Sequence, residues 1–329
     1  MTRECAKQHI DTFLTTTEAE HPSITFMGGE PFMAFDLIKD CVAYIATAYP
    51  NTPIKYTIVT NGTLVHGELQ DWIVEHEDTV QIVLSLDGLG EEHDRNRCQS
   101  LKNIDIDFFR HLRKPIVNTV FTPETICKMA ETTILLHQQG FYVKGFIADG
   151  ELWRCQHIGI IAEQLMKLVA YYTDNPDIAP MSLLGQPLYY LTSEQPVRRC
   201  GTEKFEEVSI SADGQQWACH RCSPFENHGT WKIPDKYIGL INARHLLEEC
   251  DTCFLAKICN ACPASNASIK DDKELSQTMC SIRKLLFKAN AYFALSMLAS
   301  EKNYIALHSL TNDKKLHLAE SAKQIMEEL

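Results

Sequence analysis

Eight cysteines crowd one stretch of the sequence, and their spacing suggests metal chemistry. They are Cys200, Cys219, Cys222, Cys250, Cys253, Cys259, Cys262 and Cys280. Among them, 250/253 and 259/262 are CxxC pairs that lie close together in the sequence. A CxxC loop presents two thiols to the same metal ion or iron–sulfur cluster, and more distant cysteines can complete each set of four ligands. Eight thiols are enough for two such sites.

Other uses of these thiols compete with an iron–sulfur site. Packing as small apolar side chains does not explain a paired spacing. Disulfides are not expected for the 13 cysteines of this chain if it resides in a reducing compartment. Zinc is the serious rival, because tetrahedral sites with four thiolates use the same loops. Spacing alone therefore leaves zinc and iron–sulfur both open.

The composition argues against several classes of protein. A chain of 329 residues with 45% hydrophobic residues can bury real cores. Its formal net charge of -12 argues against a nucleic-acid partner, because such binding depends on Lys and Arg neutralising phosphates. Residues 1–10 carry mixed charges and do not form a signal peptide, and no apolar run reaches the roughly 18 to 20 residues of a membrane span. We therefore expect a cytoplasmic protein with no nucleic-acid and no membrane partner.

Helices and strands alternate over the first 150 residues or so, which is typical of parallel βα units. The predicted strands are 24–27, 54–60, 80–86, 114–121 and 141–146, and the predicted helices are 4–18, 35–48, 64–76, 125–139 and 158–172. Three of the strands end in polar turns, which are Gly28-Gly29-Glu30-Pro31, Thr60-Asn61-Gly62 and Ser85-Leu86-Asp87-Gly88. In parallel α/β folds the functional residues gather at the carboxyl ends of the strands.

The rest of the chain carries weaker signals. Residues 174–187 are rich in Pro, Asn and Asp and are predicted to be a linker. Residues 289–329 are predicted to be helical, with Leu316, Ala319 and Ile325 on a face that packs against a core.

The cysteine pattern resembles the SPASM domain, the C-terminal module of peptide-modifying radical S-adenosylmethionine (SAM) enzymes. The matching strings are Cys200-x13-Gly214-x4-Cys219, then Cys250-x2-Cys253-x5-Cys259-x2-Cys262, then Cys280. The family has x3 where this chain has the final x2, and Cys222 is additional. The resemblance implies two auxiliary [4Fe-4S] clusters.

The same resemblance implies which thiols share a cluster. Cys250, Cys253, Cys259 and Cys280 would hold the distal cluster. Cys200, Cys219 and Cys262 would hold the cluster nearer the barrel, and Cys222 is either its fourth ligand or a spare thiol.

The first half resembles the same enzymes independently. Gly28-Gly29-Glu30-Pro31 is similar to their GGEP motif, which contacts the amino group of SAM, and Ser85-Leu86-Asp87-Gly88-x4-His93-Asp94-x2-Arg97 is similar to a segment that lines the SAM pocket. The resemblance makes SAM a candidate ligand. The implied SAM-binding residues are Gly28, Gly29, Glu30, Asn61, Ser85, Asp87 and Arg97. A plain turn is the alternative for residues 60–62, and a solvated loop is the alternative for residues 85–97.

His220 directly follows Cys219, where related sulfatase maturases carry an acidic residue that acts as a base. An imidazole can take a proton near neutral pH, so His220 is a candidate catalytic base. A capping or surface histidine is the alternative. The change from an acid to a histidine argues against a sulfatase as the substrate.

The CxxxCxxC loop that binds the SAM-cleaving cluster in this family is absent from the sequence. The family comparison predicts an α/β fold: a partial (β/α)6 radical SAM barrel without its first strand (1–185), a cysteine-rich SPASM domain (186–285) and C-terminal helices (286–329). Either an upstream segment supplies the strand and its cysteines, or the protein is a natural degenerate relative. A barrel without its first strand exposes an unpaired edge, which favours an upstream segment or a protein partner that fills the gap.

Two functions follow from the resemblance, and the sequence leaves open whether the chain is an enzyme. The first is modification of a peptide or protein substrate through a 5'-deoxyadenosyl radical, provided that the missing cluster-binding segment is supplied. The second is a non-catalytic iron–sulfur protein for peptide binding, scaffolding or electron transfer. A zinc-stabilised binding module is a third alternative.

Overall fold

The computed structural model of the chain describes residues 1–194, 208–222, 246–259 and 261–329. Its main sheet has five strands in the order β1-β2-β3-β4-β5. They are β1 (Ser23–Phe26), β2 (Lys55–Thr60), β3 (Val80–Ser85), β4 (Ile116–Phe121) and β5 (Tyr142–Ile147). Strands β1 to β4 pair in parallel. Backbone hydrogen bonds from Tyr142 to Pro115 and from Ala148 to Phe121 align β5 with β4 in the same direction. The predicted parallel βα pattern is confirmed.

The helices include those that connect the strands and those that follow the sheet. They are α1 (Arg3–Thr16), α2 (Phe35–Ala48), α3 (Glu68–Glu75), α4 (Glu91–Asn96), α5 (Ile106–Arg110), α6 (Met129–Gln138), α7 (Cys155–Asp174), α8 (Pro263–Ile269), α9 (Lys273–Leu298) and α10 (Asn312–Glu328). A short antiparallel hairpin joins β6 (Ser209–Ile210) to β7 (Gln216–Trp217).

The two faces of the sheet differ in burial. Residues on β2 and β4 alternate between buried and half-exposed, as expected when one face of a sheet packs and the other stays open. The packed face consists of Ile58, Thr60, Ile82, Leu84, Val117 and Thr119, all of them buried. The open face consists of Thr57, Val59, Gln81, Val83, Ser85, Ile116 and Asn118, which the strand registers place side by side. Most of the open face is half-exposed.

One predicted helix starts later than expected. The apolar spacing predicts a helix over residues 64–76, whereas α3 begins at Glu68. The residues before it form turns, and Gly67 has a φ of 54°, in the left-handed region that does not continue a right-handed helix.

Residues 174–187, which are predicted to be a linker, include side chains that pack in a core. Met181 and Leu184 in this stretch are fully or almost fully buried. The backbone N–H of Met181 donates to the Tyr172 hydroxyl at 2.9 Å. A composition rich in Pro, Asn and Asp concealed these apolar anchors, which pack like core residues.

The C-terminal helices pack against a core as predicted, but the buried face of α10 does not include Leu316. Leu316 is 66% exposed, whereas Leu318, Ala322 and Ile325 of α10 are buried in a cluster with residues of α9 that include Phe287. The expected core role is confirmed for Ile325 and wrong for Leu316.

The described residues divide into two compact units. The first contains Met1–Thr119, Leu135–Lys144 and Ser209–Trp217, and the second contains Val120–Ile134 and the described parts of Gly145–Val208 and Ala218–Leu329. Helix α9 runs through residue 285, where a domain boundary is predicted, and the three-domain division stays a prediction. No described helix has the length and apolar character needed to cross a bilayer.

Candidate functional site

Glu30 joins the loop after β1 to the end of β2. One carboxylate oxygen accepts the Phe32 N–H at 3.1 Å and the Thr60 hydroxyl at 2.9 Å. The other accepts the Asn61 N–H at 2.8 Å. Two predicted SAM-binding residues, Glu30 and Asn61, therefore lie together at the carboxyl ends of neighbouring strands. Since each carboxylate oxygen can accept two hydrogen bonds, the oxygen bound to Asn61 can also receive a cationic group.

Gly28 and Gly29 present bare backbone at the same end of the sheet. A Cβ added at either residue would meet no atom within 4 Å. Gly28 has a φ of 147°, which favours glycine, whereas neither a positive φ nor a close neighbour requires glycine at position 29. Close approach of a ligand to the backbone would explain Gly29, so these residues fit a bound SAM.

The turn after β2 is built by its own residues. The Asn61 side-chain carbonyl accepts the N–H and the hydroxyl of Thr63 at 2.9 and 2.8 Å, an Asx turn. The turn alternative for residues 60–62 is therefore real, and it leaves the amide N–H groups of Asn61 as the part that can reach a ligand.

The segment after β3 folds into a buried ionic network. Asp87 is 3% exposed, and Arg97 donates to both of its carboxylate oxygens, at 2.8 and 3.1 Å. The Asn96 amide adds a third hydrogen bond at 3.3 Å. The sequence predicts Asp87 and Arg97 as separate SAM contacts, and the structure joins them into one bidentate pair. The pair shapes the loop that follows Ser85.

His93 completes this network as a neutral side chain. Its Nδ1 accepts the Asp87 N–H at 3.3 Å, so Nε2 carries the proton and donates to the Ser100 hydroxyl at 3.0 Å. Burial, and then the nearby Arg97 cation, lower the pKa of His93, although Asp87 and Asp94 act in the opposite direction. A neutral imidazole is what this geometry requires.

Ser85 and Asn118 lie next to each other on the open face as register partners on β3 and β4. The side-chain oxygen of Asn118 is buried and has no hydrogen-bond partner among the described residues. The sequence analysis missed Asn118. The available signal was a carboxamide side chain within a strand rich in β-branched residues, between Val117 and Thr119.

The thiols predicted for the distal cluster affect one another electrostatically. Burial raises the pKa of Cys259, and the thiols of Cys250 and Cys253 raise it further. Burial likewise raises the pKa of Cys280, with added contributions from Cys250 and Cys259. These mutual electrostatic effects join the CxxC loop at 250–253 to Cys280 on α9.

Hydrogen-bond donors and cations surround these thiols. The Leu247 N–H donates to Cys250 Sγ at 3.4 Å. Arg283, held by Asn266 at 3.0 Å, opposes the rise in the pKa of Cys259 and Cys280, and Lys284 does the same for Cys280. Soft thiol donors with N–H groups and cations nearby suit an anionic iron–sulfur cluster, and the residues therefore fit such a group. The thiols alone suit zinc as well.

The thiols of the nearer cluster are only partly described. Cys219 and Cys222 are buried, with their sulfur atoms 3.6 Å apart, and the pKa of Cys219 is raised by its hydrogen bond to Cys222 and by burial. Cys262 is half-buried and immediately precedes α8. Cys200 lies outside the described residues. Within the described ranges, no three His, Cys, Asp or Glu side chains are arranged around a single ion position.

His220 and Arg221 occupy the turn between Cys219 and Cys222. His220 is half-buried, and its role as a base stays a prediction. Arg221 forms an ion pair with Asp149 at 2.7 Å and reaches the Ser265 hydroxyl at 3.4 Å. The sequence analysis missed both partners of this ion pair. Asp149-Gly150 repeats the polar turn that ends the earlier strands, and that repetition could have identified Asp149.

Comparison with sequences gives a short match. No family model matches the chain. Over 84 residues it is 37% identical to an uncharacterized protein of Methanocaldococcus jannaschii, and the match covers 26% of this chain and 28% of that protein. The matched segment spans well under two thirds of that relative.

Comparison with solved structures identifies the fold. Native anSMEcpe with bound AdoMet (SAM) matches with a TM-score of 0.68 and 18% identity, over 92% of this chain and 90% of that one. A structure of anSMEcpe with AdoMet and the Cp18Cys peptide matches with a TM-score of 0.68 and 17% identity, over 91% of this chain and 90% of that one. Streptococcus suis SuiB matches with a TM-score of 0.55 and 17% identity, over 84% of this chain and 69% of that one. The chain therefore shares the α/β fold of these structures, as the sequence predicts.

Proposed function

We propose that this protein is a radical SAM protein of the SPASM type that acts on a peptide or protein and carries two auxiliary [4Fe-4S] clusters. The observation that carries the proposal is the SPASM-like spacing of the eight cysteines, and the electrostatic effects of Cys250, Cys253, Cys259 and Cys280 on one another support it. The SPASM resemblance assigns these four thiols to one cluster although 30 positions separate the first from the last. Random packing of free thiols gives no reason for this grouping.

The nearer cluster would use Cys200, Cys219 and Cys262, with Cys222 as its fourth ligand. The 3.6 Å separation of the Cys219 and Cys222 sulfur atoms supports including Cys222. The ion pair between Arg221 and Asp149 fixes the turn that presents both thiols. The Arg221 guanidinium would also place positive charge near the anionic cluster.

SAM would bind at the carboxyl ends of the first three strands. The open backbone of Gly28 and Gly29 and the carboxylate of Glu30 would receive its methionyl part, with Asn61, Ser85 and the loop held by Asp87 and Arg97 beside it. If a CxxxCxxC cluster were also supplied and reduced, its electron would cleave bound SAM to methionine and a 5'-deoxyadenosyl radical, which would abstract hydrogen from the substrate. The residues described here would bind and orient SAM for that step.

A peptide substrate is supported by the peptide bound in one anSMEcpe structure. The net charge of -12 favours a basic or neutral peptide over an acidic one. His220, in the turn beside Cys219, is proposed as the base that accepts the proton released from the substrate.

A non-catalytic iron–sulfur protein is the second candidate. In that case the clusters and the barrel would serve peptide binding, scaffolding or electron transfer. Among the described strands, β1 lies at one end of the sheet, and a strand of a protein partner would pair at that edge.

Anaerobic reconstitution with iron and sulfide tests the proposal. We expect about eight irons per chain and an absorbance band at about 400 nm, as for two [4Fe-4S] clusters. A colourless protein that retains zinc under these conditions would overturn the iron–sulfur assignment. Formation of 5'-deoxyadenosine from SAM and dithionite, assayed with a segment that supplies the CxxxCxxC cluster, then separates the two candidates, because only the enzyme forms it.

A further inference from the structure

We propose that Asn118, paired with Ser85, is a ligand-binding residue on the open face of the sheet and accepts a hydrogen bond from a hydroxyl or ammonium group of bound SAM. This inference rests on the proposed function and adds a residue on β4 to the predicted SAM site.

The strand register places the two side chains together. Ser85 is the last residue of β3 and pairs with Asn118 on β4. Partners in parallel strands point to the same side of the sheet, so both side chains lie on the open face. Ser85 is followed within two residues by Asp87, which anchors the predicted SAM loop.

The Asn118 side chain is not needed to hold the sheet together. Its backbone carbonyl already accepts the Leu86 N–H at 2.9 Å. The next residue shows the contrast, because the Thr119 hydroxyl, on the packed face, donates to the Leu86 carbonyl at 2.8 Å. Buried polar atoms in proteins are almost always hydrogen-bonded. The unpartnered oxygen of Asn118 among the described residues therefore points to a group that binds there.

The chemistry of the pair limits the ligand. An amide oxygen only accepts, so the ligand must present an O–H or N–H donor to Asn118. The Asn118 amide N–H groups and the Ser85 hydroxyl can donate in return, which suits a ligand with donors and acceptors close together. SAM carries both, in its ribose hydroxyls and in its ammonium and carboxylate groups.

Two substitutions separate the acceptor from the donor role. Asn118→Leu removes both functions at similar volume, and Asn118→Asp keeps an acceptor while removing the N–H donors. Thr57→Val is the matched control, because Thr57 is a half-exposed polar residue of the open face farther from the strand ends. The reconstituted protein and its variants are compared by SAM affinity in equilibrium dialysis and by melting temperature.

We expect Asn118→Leu to weaken SAM binding by about tenfold or more without lowering the melting temperature, since it removes an unsatisfied buried group. Asn118→Asp should retain more affinity than Asn118→Leu, and Thr57→Val should bind as the wild type does. If Asn118→Leu binds SAM with wild-type affinity, whatever its melting temperature, this inference is wrong and the proposed SAM site is unaffected. Wild-type protein that holds its iron but binds no SAM would overturn the proposed SAM site and this inference with it.

Discussion

Asp87 and Arg97 form a bidentate ion pair in the candidate site. The side chain of Asp87 is 2% exposed and that of Arg97 is 25% exposed, so the pair is largely shielded from solvent. Lysine keeps the charge of Arg97 but cannot make two parallel hydrogen bonds to one carboxylate.

We expect Arg97→Lys to lower the free energy of unfolding by roughly 1 to 3 kcal/mol, measured by urea denaturation. Arg95→Lys is the control, because Arg95 lies in the same segment and is exposed. Equal stability of the two variants would mean that the bidentate geometry contributes nothing.

His93 makes stability depend on pH in a predictable direction. Burial and Arg97 lower its pKa from the ordinary value of 6.5. On acidification the unfolded chain therefore takes up this proton before the folded protein does. The contribution of neutral His93 is complete above pH 6.5 and is lost as the pH falls through the lowered pKa of the folded state.

We expect melting temperatures measured between pH 7 and about pH 5 to fall less steeply for His93→Asn than for the wild type. His111→Asn controls for general effects of losing a histidine, because His111 is exposed. A wild-type slope in His93→Asn would show that other groups dominate this pH range.

The sequence singles out candidate site residues but not the residues that they bind. The motif spacing predicts Asp87 and Arg97 as SAM contacts, yet nothing in it says that the two bind each other. Asn118 and Arg221 were missed for a related reason: each acquires its meaning from a residue distant in the sequence, through the strand register for Asn118 and through the ion pair with Asp149 for Arg221.

At the scale of elements, the two turns that end β1 and β2 use glycine differently. Gly62 has a φ of 79°, and a Cβ there would lie 2.6 Å from Leu84 and about 3 Å from Ile104 and Phe109. Gly29 has neither a positive φ nor a close neighbour. The fold therefore requires glycine at position 62, whereas the proposed ligand explains glycine at position 29.

We expect Gly62→Ala to lower the free energy of unfolding by more than about 1 kcal/mol, because it combines backbone strain with overpacking. Gly29→Ala should leave the unfolding curve unchanged and weaken SAM binding. Denaturation curves and equilibrium dialysis of both variants provide the measurements. Loss of stability in Gly29→Ala would contradict this division of roles.

Element types were predicted well where periodicity was strong. Helix α2 has its predicted bounds, and each strand of the main sheet lies within two residues of its prediction at either end. The errors arise where local chemistry overrides periodicity, as at Gly67 before α3, or where a few buried residues override composition, as at Met181 and Leu184. Burial of single side chains is a tertiary property that composition does not encode.

At the scale of the whole molecule, the fold was predicted by a few spaced residues and not by overall similarity. Identity to anSMEcpe is 18% with a TM-score of 0.68. Core positions tolerate many apolar side chains of similar volume, whereas thiol ligands and the glycines of a close approach have few substitutes. The motifs are therefore the part of the sequence that still reports the fold when overall identity is low.

Cysteine substitutions test which thiols hold each of the two proposed clusters. We expect Cys259→Ala to remove about four of about eight irons, because Cys259 would belong to the distal cluster, and Cys219→Ala to remove a similar amount from the nearer one. Cys127→Ala is the matched control, since Cys127 is exposed and belongs to neither set. Iron analysis and the absorbance spectrum of each reconstituted variant give the result.

The same variants should also lose thermal stability only in the reconstituted state. A cluster that binds the folded chain and not the unfolded chain stabilises the fold by mass action. Reconstitution should therefore raise the melting temperature of the wild type and of Cys127→Ala by more than that of Cys259→Ala or Cys219→Ala. If Cys259→Ala keeps the full iron content and the full rise in melting temperature, Cys259 is not a ligand and the proposed assignment of the four thiols to one cluster is wrong.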